Sequence, residues 1–314
     1  MKEFIQQIQK AKNIGITGHI HPDGDCIGSC LGLKQYILDQ YPEKTIDVYL
    51  EPIGNEFYFL NGSDQILSQD SGQTYDLFFV LDCSSTDRFE PFQKMIETAK
   101  YVICIDHHIS NHGLGDYCKV DPTASATCEV LCQIFSMDKV SKKCAQCLYT
   151  GIVHDTGVFK HSNTTKQTMI YAGELLEKGV ESSKIIDETF YQKTYIQNRI
   201  LGQALINSFL CCHDQVIYSS ISKEELEYFE ATSADLNGII DQLRVTKGTE
   251  VAVFLYPQKE GSLKVSMRSN EKVDVAKIAE QFGGGGHIRA AGCTIFGSFD
   301  DTKQKIIEKI EEQL

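Results

Sequence analysis

The feature that most constrains the fold is a repeated alternation of short apolar segments with helical patterns. Four apolar segments, rich in β-branched or aromatic residues, are expected to be strands. They span residues 13–17, 46–50, 76–82 and 101–106. Three segments with helical patterns span residues 26–41, 124–137 and 142–155. Strands that alternate with helices form a parallel sheet with helices on both faces. The first half of the chain is therefore expected to have an α/β fold.

The pattern changes after about residue 185. Residues 188–209 have the pattern of a long, mostly polar helix, suited to joining two domains. Beyond it, three strand candidates and two helix candidates predict a smaller α+β domain. They span residues 216–221, 250–257, 263–269, 273–282 and 300–314. We therefore expect a first domain of residues 1–187, a linking helix within 188–212 and a second domain of residues 213–314.

Charge and composition exclude several classes of function. The net charge is −13, from 43 acidic and 30 basic residues, which argues against binding long nucleic acid through a basic surface. No apolar run approaches the roughly 20 residues of a membrane span, and residues 1–13 lack the apolar core of a signal peptide. We expect a cytoplasmic protein with no membrane partner.

The twelve cysteines of a cytoplasmic protein are expected to be free thiols. Cys144 and Cys147 are expected to be buried on a helix rather than bound to zinc.

The segment GHIHPDGDCIG (18–28) follows the first predicted strand and places three ligand-type side chains close together. Pro22 and Gly24 favour a tight turn, so that His19, Asp23 and Asp25 can converge. An imidazole combined with carboxylates suits Mn²⁺, Zn²⁺ or Fe²⁺, whereas oxygen ligands alone suit Mg²⁺ or Ca²⁺. The residues favour a metal site over an acidic turn with a structural histidine.

Asp82 closes another predicted strand, in the segment VLDCSSTDR (80–88). A buried, unpaired carboxylate is costly, and its two oxygens could bridge two metal ions. A helix cap with a surface salt bridge to Arg88 is the alternative. Ligands of open α/β sheets bind beyond the carboxyl ends of the strands, so this motif is expected to lie beside the first loop.

The segment CIDHHISNH (104–112) carries the most specific signal, because Asp106, His107 and His108 follow one strand directly. One histidine could bind a metal while its neighbour faces substrate as an acid, and Asp106 could orient an imidazole. Asp155 ends an apolar helix and precedes Thr156, in a composition fit for a ligand loop.

The segment GGGGHIRAAG (283–292) has consecutive glycines that permit close approach of main-chain N–H groups to an anion. A glycine-rich hairpin without a ligand is the alternative. The expected substrate contacts are Gly284, Gly285, Gly286, His287, Arg289, Arg268 and Arg88.

These motifs, in this order, make the chain resemble the DHH phosphoesterases, a family named for the triplet that stands here at residues 106–108. The four N-terminal motifs are GHIHPDGDCIGS, VLDCSSTDR, IDHHISN and GIVHDTGVF, and GGGGHIRAAG is similar to the DHH-associated domain. The resemblance covers essentially the whole chain. It implies a parallel-sheet DHH domain, a smaller α+β DHH-associated domain and an active site in the cleft between them.

The resemblance also implies two Mn²⁺ ions, with other divalent metals as alternatives. The first ion would be held by His19, Asp23 and Asp82. The second would be held by Asp25, Asp82, His107 and Asp155, so that Asp82 bridges both. Two such ions activate water and stabilise an in-line displacement at phosphorus. His108 would then donate a proton to the leaving side, with Asp106 as the second catalytic residue.

Within the family, the compact two-domain nanoRNase (oligoribonuclease)/pAp phosphatase group fits best. His287 in its glycine-rich loop argues against the pyrophosphatases, and 314 residues argue against the larger DNA exonucleases. We expect hydrolysis of very short oligonucleotides such as pApA to nucleoside 5′-monophosphates, and removal of the 3′-phosphate of pAp. The alternatives are a stand-alone phosphodiesterase of cyclic di-AMP or pApA and a phosphatase of non-nucleotide esters. The family resemblance also suggests a homodimer.

Overall fold

The computed structural model describes residues 2–111, 113–258 and 261–314. They form two compact units, Met1–Gln192 and Lys193–Leu314. No helix in these described ranges is long and apolar enough to cross a membrane.

The first unit is built on a six-stranded parallel sheet. Its strands are β1 (Asn13–Thr17), β2 (Thr45–Tyr49), β3 (Ile66–Leu67), β4 (Leu77–Leu81), β5 (Val102–Asp106) and β6 (Tyr117–Val120). They lie in the order β3-β2-β1-β4-β5-β6, and every paired neighbour is parallel. The order reverses between β1 and β4, which is the point where doubly wound sheets open a crevice at the carboxyl ends of their strands. The predicted parallel-sheet fold is confirmed.

Seven α-helices lie within the described residues of the first unit. They are α1 (Lys2–Lys10), α2 (Gly24–Gln40), α3 (Gln93–Thr98), α4 (Thr127–Ile134), α5 (Lys142–Asp155), α6 (Lys166–Glu177) and α7 (Ser182–Ile186). Cys144 and Cys147 are buried in α5, as expected. A Cβ atom at Gly28 of α2 would lie 2.5 Å from the carbonyl oxygen of Cys147. Only glycine therefore permits α2 and α5 to approach so closely.

The prediction of a single helix over residues 188–209 is wrong. A short π-helical segment spans Asp187–Tyr191, and a new helix, α8, spans Tyr195–Ile206. The chain is extended at Gln192 and Thr194, and Thr194 and Gln197 form a capping box that starts α8. Such a box satisfies the free N–H groups of a helix start, which explains why α8 begins there. The domain boundaries at 187/188 and 212/213 stay predictions.

The second unit has a mixed sheet of six strands. They are β7 (Phe209–Cys211), β8 (Val216–Ser220), β9 (Val251–Pro257), β10 (Ser262–Ser269), β11 (Gly285–His287) and β12 (Ala290–Phe296). The order is β11-β12-β10-β9-β8-β7, with only the β8–β9 pair parallel. Besides α8, its helices are α9 (Lys223–Tyr228), α10 (Ile239–Arg244), α11 (Val275–Gln281) and α12 (Phe299–Glu311). This confirms the predicted α+β architecture.

The close approach of α2 and α5 predicts that Gly28→Ala lowers the free energy of unfolding by about 1–3 kcal/mol, the usual effect of overpacking. Gly173→Ala is the matched control, because a Cβ atom at Gly173 of α6 meets nothing within 4 Å. We expect the control to raise stability by about 0.5–1 kcal/mol, since alanine favours helix over glycine. Urea denaturation of both variants measures the effects. A Gly28→Ala variant as stable as the parent would contradict this packing.

Candidate metal and active site

Asp82 lies at the centre of the site. It follows β4 directly, is buried, and has a left-handed backbone with a φ of 53°, a strained conformation that clusters at functional sites. Its Oδ2 atom lies 3.5 Å from His19 Nε2, and its Oδ1 atom lies 3.6 Å from both His107 Nε2 and His108 Nδ1. Asp82 thus faces three imidazoles. Within the part of the chain that the structure describes, it forms no ion pair with Arg88, so the salt-bridge alternative is not supported.

The loop after β1 brings His19 and Asp23 to this centre. His19 Nδ1 lies 2.8 Å from the carbonyl oxygen of Ile20, so Nδ1–H donates there and Nε2 faces Asp82. A hydrogen bond that fixes one ring nitrogen is what orients metal-binding histidines. Asp23 Oδ1 lies 3.7 Å from His19 Nε2 and also accepts hydrogen bonds from two main-chain N–H groups at the start of α2. Asp23 therefore caps a helix while it faces the site.

A second group of possible ligands lies on the other side of Asp82. His107 Nε2 is 3.1 Å from Asp155 Oδ2, and ligand atoms of Asp25, His107 and Asp155 all lie within 4.8 Å of one another. Asp25 is fully buried and accepts hydrogen bonds from Thr127 N at 2.6 Å and Cys128 N at 2.9 Å. These N–H groups begin α4, where the helix dipole favours a negative charge. The start of α4 therefore fixes the carboxylate of Asp25.

Crowded carboxylates dominate the electrostatics of the site. Burial, together with the charges of Asp82 and Asp155, raises the pKa of Asp25 well above its usual range, and burial raises the pKa of Asp155. Although burial opposes protonation, hydrogen bonds to carboxylates raise the pKa of His19 to about 12 and that of His107 to about 10. Among the described residues, none of these carboxylates pairs with a lysine or arginine. A divalent cation would neutralise this excess and replace the protons on the histidines, so the donor set fits a metal centre.

His108 is held by a chain of hydrogen bonds beside the centre. Its Nδ1 atom lies 2.7 Å from Asp106 Oδ1, and Asp106 Oδ2 accepts a hydrogen bond of 2.8 Å from Asn111 Nδ2. Asn111 also donates to the carbonyl oxygen of Cys83 at 3.1 Å. The hydrogen bond to Asp106 raises the pKa of His108. The role of Asp106 as an orienting group fits this geometry, whereas the sequence did not single out Asn111, although it lies in the IDHHISN motif.

Two further residues of the site were not found from the sequence. Thr127 Oγ1 donates to Asp82 Oδ1 at 3.0 Å, in addition to the hydrogen bond from its main-chain N–H to the carboxylate of Asp25. Glu129 is buried, and its Oε2 atom accepts hydrogen bonds from Ser125 N, Ser125 Oγ and Thr168 Oγ1 at 3.0, 2.6 and 2.8 Å. Glu129 therefore joins the start of α4 to α6. Glu129 could have been identified from the sequence, because it lies in an apolar helical segment and a buried carboxylate needs hydrogen-bond partners.

The predicted arginine contacts of the second unit already have partners within that unit. Arg268 Nε lies 3.2 Å from Asp241 Oδ1. Arg289 donates to the carbonyl oxygen of Val273 at 2.9 Å and to that of Glu271. Arg289 therefore stabilises the main chain of its own unit, and its role as a substrate contact stays a prediction.

The glycine-rich segment forms a hairpin of β11 and β12. Gly286 has a φ of 146°, and a Cβ atom at Gly284 or Gly286 would collide with main-chain atoms of the facing strand. Gly285 and His287 are exposed. The glycines are thus needed for the hairpin itself, and anion binding by this segment stays a prediction.

Two sequence predictions remain, one for Arg88 and one for His112. The carbonyl oxygen of Arg88 accepts a hydrogen bond of 2.7 Å from Ile20 N, which puts this half-buried residue beside the first loop. His112, expected at the surface, lies outside the described residues.

His154 precedes Asp155 but lies in an apolar environment. Its ring packs between Phe57 and Phe190, with ring centroids 5.0 and 4.5 Å away. Burial lowers the pKa of His154 to about 4. His154 is therefore a neutral packing residue in this structure rather than a member of the ligand group.

Comparison with known families agrees with this geometry. Residues 13–152 match the N-terminal domain of the DHH family, and residues 213–314 match the DHHA1 domain. The chain belongs to the DHH family. Its ligand-type residues at the ends of β1, β4 and β5 all lie in the matched N-terminal region.

Two relatives match nearly the full length of the chain. The bifunctional oligoribonuclease and PAP phosphatase NrnA of Thermus thermophilus is 32% identical over 96% of this chain and 90% of its own. The protein of the same name from Bacillus subtilis is 27% identical, and the match covers 98% of this chain and 97% of the length of that protein. The crystal structure of an exopolyphosphatase-related protein from Bacteroides fragilis has a TM-score of 0.88 and 26% identity, covering 99% of this chain and 95% of its own.

A more distant relative bears on the cyclic dinucleotide alternative. The cyclic-di-AMP phosphodiesterase GdpP of Bacillus subtilis is 23% identical over 99% of this chain, but the match spans only 49% of GdpP. The comparisons therefore favour the oligoribonuclease and pAp phosphatase group of the family.

The central position of Asp82 predicts that Asp82→Asn weakens Mn²⁺ binding by roughly 100-fold or more, because loss of even an outer partner of a metal ligand costs 10–100-fold. Calorimetry or Mn²⁺ electron paramagnetic resonance measures the affinity. Asp138→Asn is the control, since it removes the same charge from an exposed residue and should leave binding unchanged. Equal affinity of Asp82→Asn and parent would exclude Asp82 from the metal site.

Proposed function

We propose that this protein is a metal-dependent phosphoesterase that hydrolyses very short oligoribonucleotides to nucleoside 5′-monophosphates and removes the 3′-phosphate of pAp. One observation carries the proposal: relatives named for both activities match the chain over nearly its full length. The convergence of His19, Asp25, Asp82, His107 and Asp155 supports the metal dependence of the proposed activity.

The proposal includes two Mn²⁺ ions, because imidazole and carboxylate ligands together suit this metal. His19, Asp23 and Asp82 would hold one ion. Asp25, Asp82, His107 and Asp155 would hold the other. Bound there, the ions supply Lewis acidity that activates water and stabilises charge on the phosphoryl group. The chain itself fixes the ligands, since the start of α4 holds Asp25 and Thr127 holds Asp82.

His108 is the proposed proton donor to the leaving oxygen. Asp106 holds its Nδ1 atom and raises its pKa, which leaves Nε2 free and favours the protonated ring that a general acid needs. Asn111 in turn fixes Asp106. Asp106 and Asn111 are therefore positioning residues that act through His108.

Recognition of the substrate beyond the scissile phosphate is assigned to the predicted contacts in both units. They are Arg88, Arg268, Arg289, His287 and the glycines 284–286 of the glycine-rich hairpin. An arginine and an exposed histidine can both donate hydrogen bonds to a terminal phosphate.

The proposal also includes a cytoplasmic location and a homodimer. Sedimentation of the purified protein tests the homodimer.

Turnover of pApA, pAp and cyclic di-AMP with Mn²⁺, followed by chromatography of AMP, tests the substrate class. We expect pApA to be cleaved more than about tenfold faster than cyclic di-AMP, a difference of about 1.4 kcal/mol. The reason is that one of the two phosphates of pApA is a terminal monoester, which carries one more negative charge for the proposed donors than a diester does, whereas both phosphates of cyclic di-AMP are diesters. Release of AMP from pAp would establish the second activity.

The other outcomes of this assay are equally informative. Comparable turnover of cyclic di-AMP would favour the cyclic dinucleotide alternative. Cleavage of non-nucleotide esters at the same rate as pApA would favour a general phosphatase. No cleavage of any of them by a protein that binds Mn²⁺ would refute the proposed function.

The role of His108 predicts a loss of about 10²–10⁴ in kcat for His108→Gln acting on pApA, the usual contribution of general acid catalysis. Its effect on bis(p-nitrophenyl) phosphate should be much smaller, because p-nitrophenolate leaves without a proton. Mn²⁺ affinity, measured in parallel, should change little. An equal loss of kcat with both substrates would show that His108 is not the proton donor.

A further inference from the structure

Cys104 and Cys118 lie directly opposite each other on neighbouring strands. Cys104 of β5 and Cys118 of β6 are partners in the register of this parallel pair. Paired strands lie about 4.7–4.9 Å apart, and disulfides span Cα separations of about 4.4–6.8 Å. Partner residues of a pair also project from the same face of the sheet. The backbone therefore already has the spacing that a disulfide requires.

Both thiols contact the side chain of Asn111. Cys104 is buried, whereas Cys118 is half-buried on β6, the edge strand of the sheet. The neighbouring Cys104 thiol lowers the pKa of Cys118 to about 6, and Cys118 in turn raises the pKa of Cys104. A more acidic, more accessible thiol next to a second thiol is the arrangement of a cysteine that reacts first and one that resolves the product.

We propose that Cys104 and Cys118 form a reversible disulfide when the protein meets hydrogen peroxide or an organic hydroperoxide. The Cys118 thiolate attacks the peroxide oxygen, so that an S–O bond forms, the O–O bond breaks and water or an alcohol leaves after taking up a proton. The Cys104 sulfur then attacks Cys118 Sγ, forming the S–S bond as the S–O bond breaks. The Cys104 proton leaves with the hydroxide as water. The two sulfurs lose two electrons in total, and the peroxide gains them.

The disulfide would alter the neighbourhood of Asn111. Asn111 Nδ2 lies 3.4 Å from Cys104 Sγ, and Cys118 Sγ lies 3.9 Å from Asn111 Oδ1. The same amide holds Asp106, which holds His108. Drawing the sulfurs together to about 2.05 Å removes both thiols as partners of Asn111. We expect oxidation to shift Asn111 and lower turnover, a consequence that rests on the proposed function, whereas disulfide formation does not.

The test treats the reduced, full-length protein with hydrogen peroxide and then alkylates the remaining thiols under denaturing conditions. Trypsin excises both cysteines in one peptide, residues 101–119, between Lys100 and the bond after Lys119. We expect this peptide to be lighter by two hydrogen atoms and to resist alkylation, and dithiothreitol to restore both thiols. With pApA as substrate, oxidation should reduce kcat by about tenfold. This is less than removal of the acid itself, which would cost about 10²–10⁴.

Matched variants separate this pair from other cysteines. Cys118→Ser should keep the activity of the reduced parent and lose its sensitivity to peroxide. Cys211→Ser removes another half-buried cysteine and should respond as the parent does. Mapping the peptide in Cys104→Ser provides a second test if either variant is poorly folded, because Cys118 should then be oxidised to a sulfenic acid without a disulfide.

Three results would count against the proposal. An alkylatable 101–119 peptide after peroxide treatment would exclude the disulfide. An equal loss of kcat in Cys118→Ser and parent would show that the disulfide does not cause the inactivation. A mapped disulfide with unchanged kcat would overturn the coupling through Asn111. A reduced protein without any phosphoesterase activity would refute the proposed function instead, and the peptide map would still decide whether the disulfide forms.

Discussion

The constraint on which the site depends is the repulsion among carboxylates gathered at one edge of the sheet. Asp25, Asp82 and Asp155 lie close together, and the charges of Asp82 and Asp155 disfavour the charged form of the buried Asp25, as the charge of Asp82 does for Asp155. The protein offsets part of this cost with the N–H groups that begin α4 and with the imidazoles of His19 and His107. These groups orient the carboxylates without removing the excess of negative charge. The fold thus maintains a site whose remaining requirement is a cation.

Holding those charges in place requires a rigid support. The left-handed backbone of Asp82 is supported by the preceding strand β4, whose residues are all buried, and by the hydrogen bond from Asp82 N–H to the carbonyl oxygen of Ile105 on the neighbouring strand. Asp25 is fixed from two sides, since it lies near the start of α2 while its carboxylate contacts α4. Gly28 brings α2 against α5, whose last residue is Asp155. The same core packing that stabilises the first unit therefore sets the distances among its ligand groups.

The elements that were predicted correctly from the sequence are those whose structure is determined by residues within the element itself. Strands such as 13–17 and the helix over 142–155 carry their own apolar patterns, and both were predicted correctly. The helix expected to begin at residue 124 begins instead at Thr127, where its first N–H groups meet Asp25 from a distant part of the chain. Asn111 and Glu129 were missed for the same reason, because their roles come from partners that only the folded chain supplies.

The pairing of β5 with β6 places two cysteines and the carboxylate of Asp106 on one face of the sheet. Side chains two residues apart on a strand project from the same face, so Cys104 and Asp106 of β5 share a face, and Cys118 of β6 is added by the register. Asn111, in the loop after β5, contacts all three. An asparagine amide has a fixed number of donors and acceptors, so a change in the sulfurs must alter the balance of its remaining hydrogen bonds. The Asn111 side chain therefore links both sulfur atoms to Asp106, the carboxylate that orients His108.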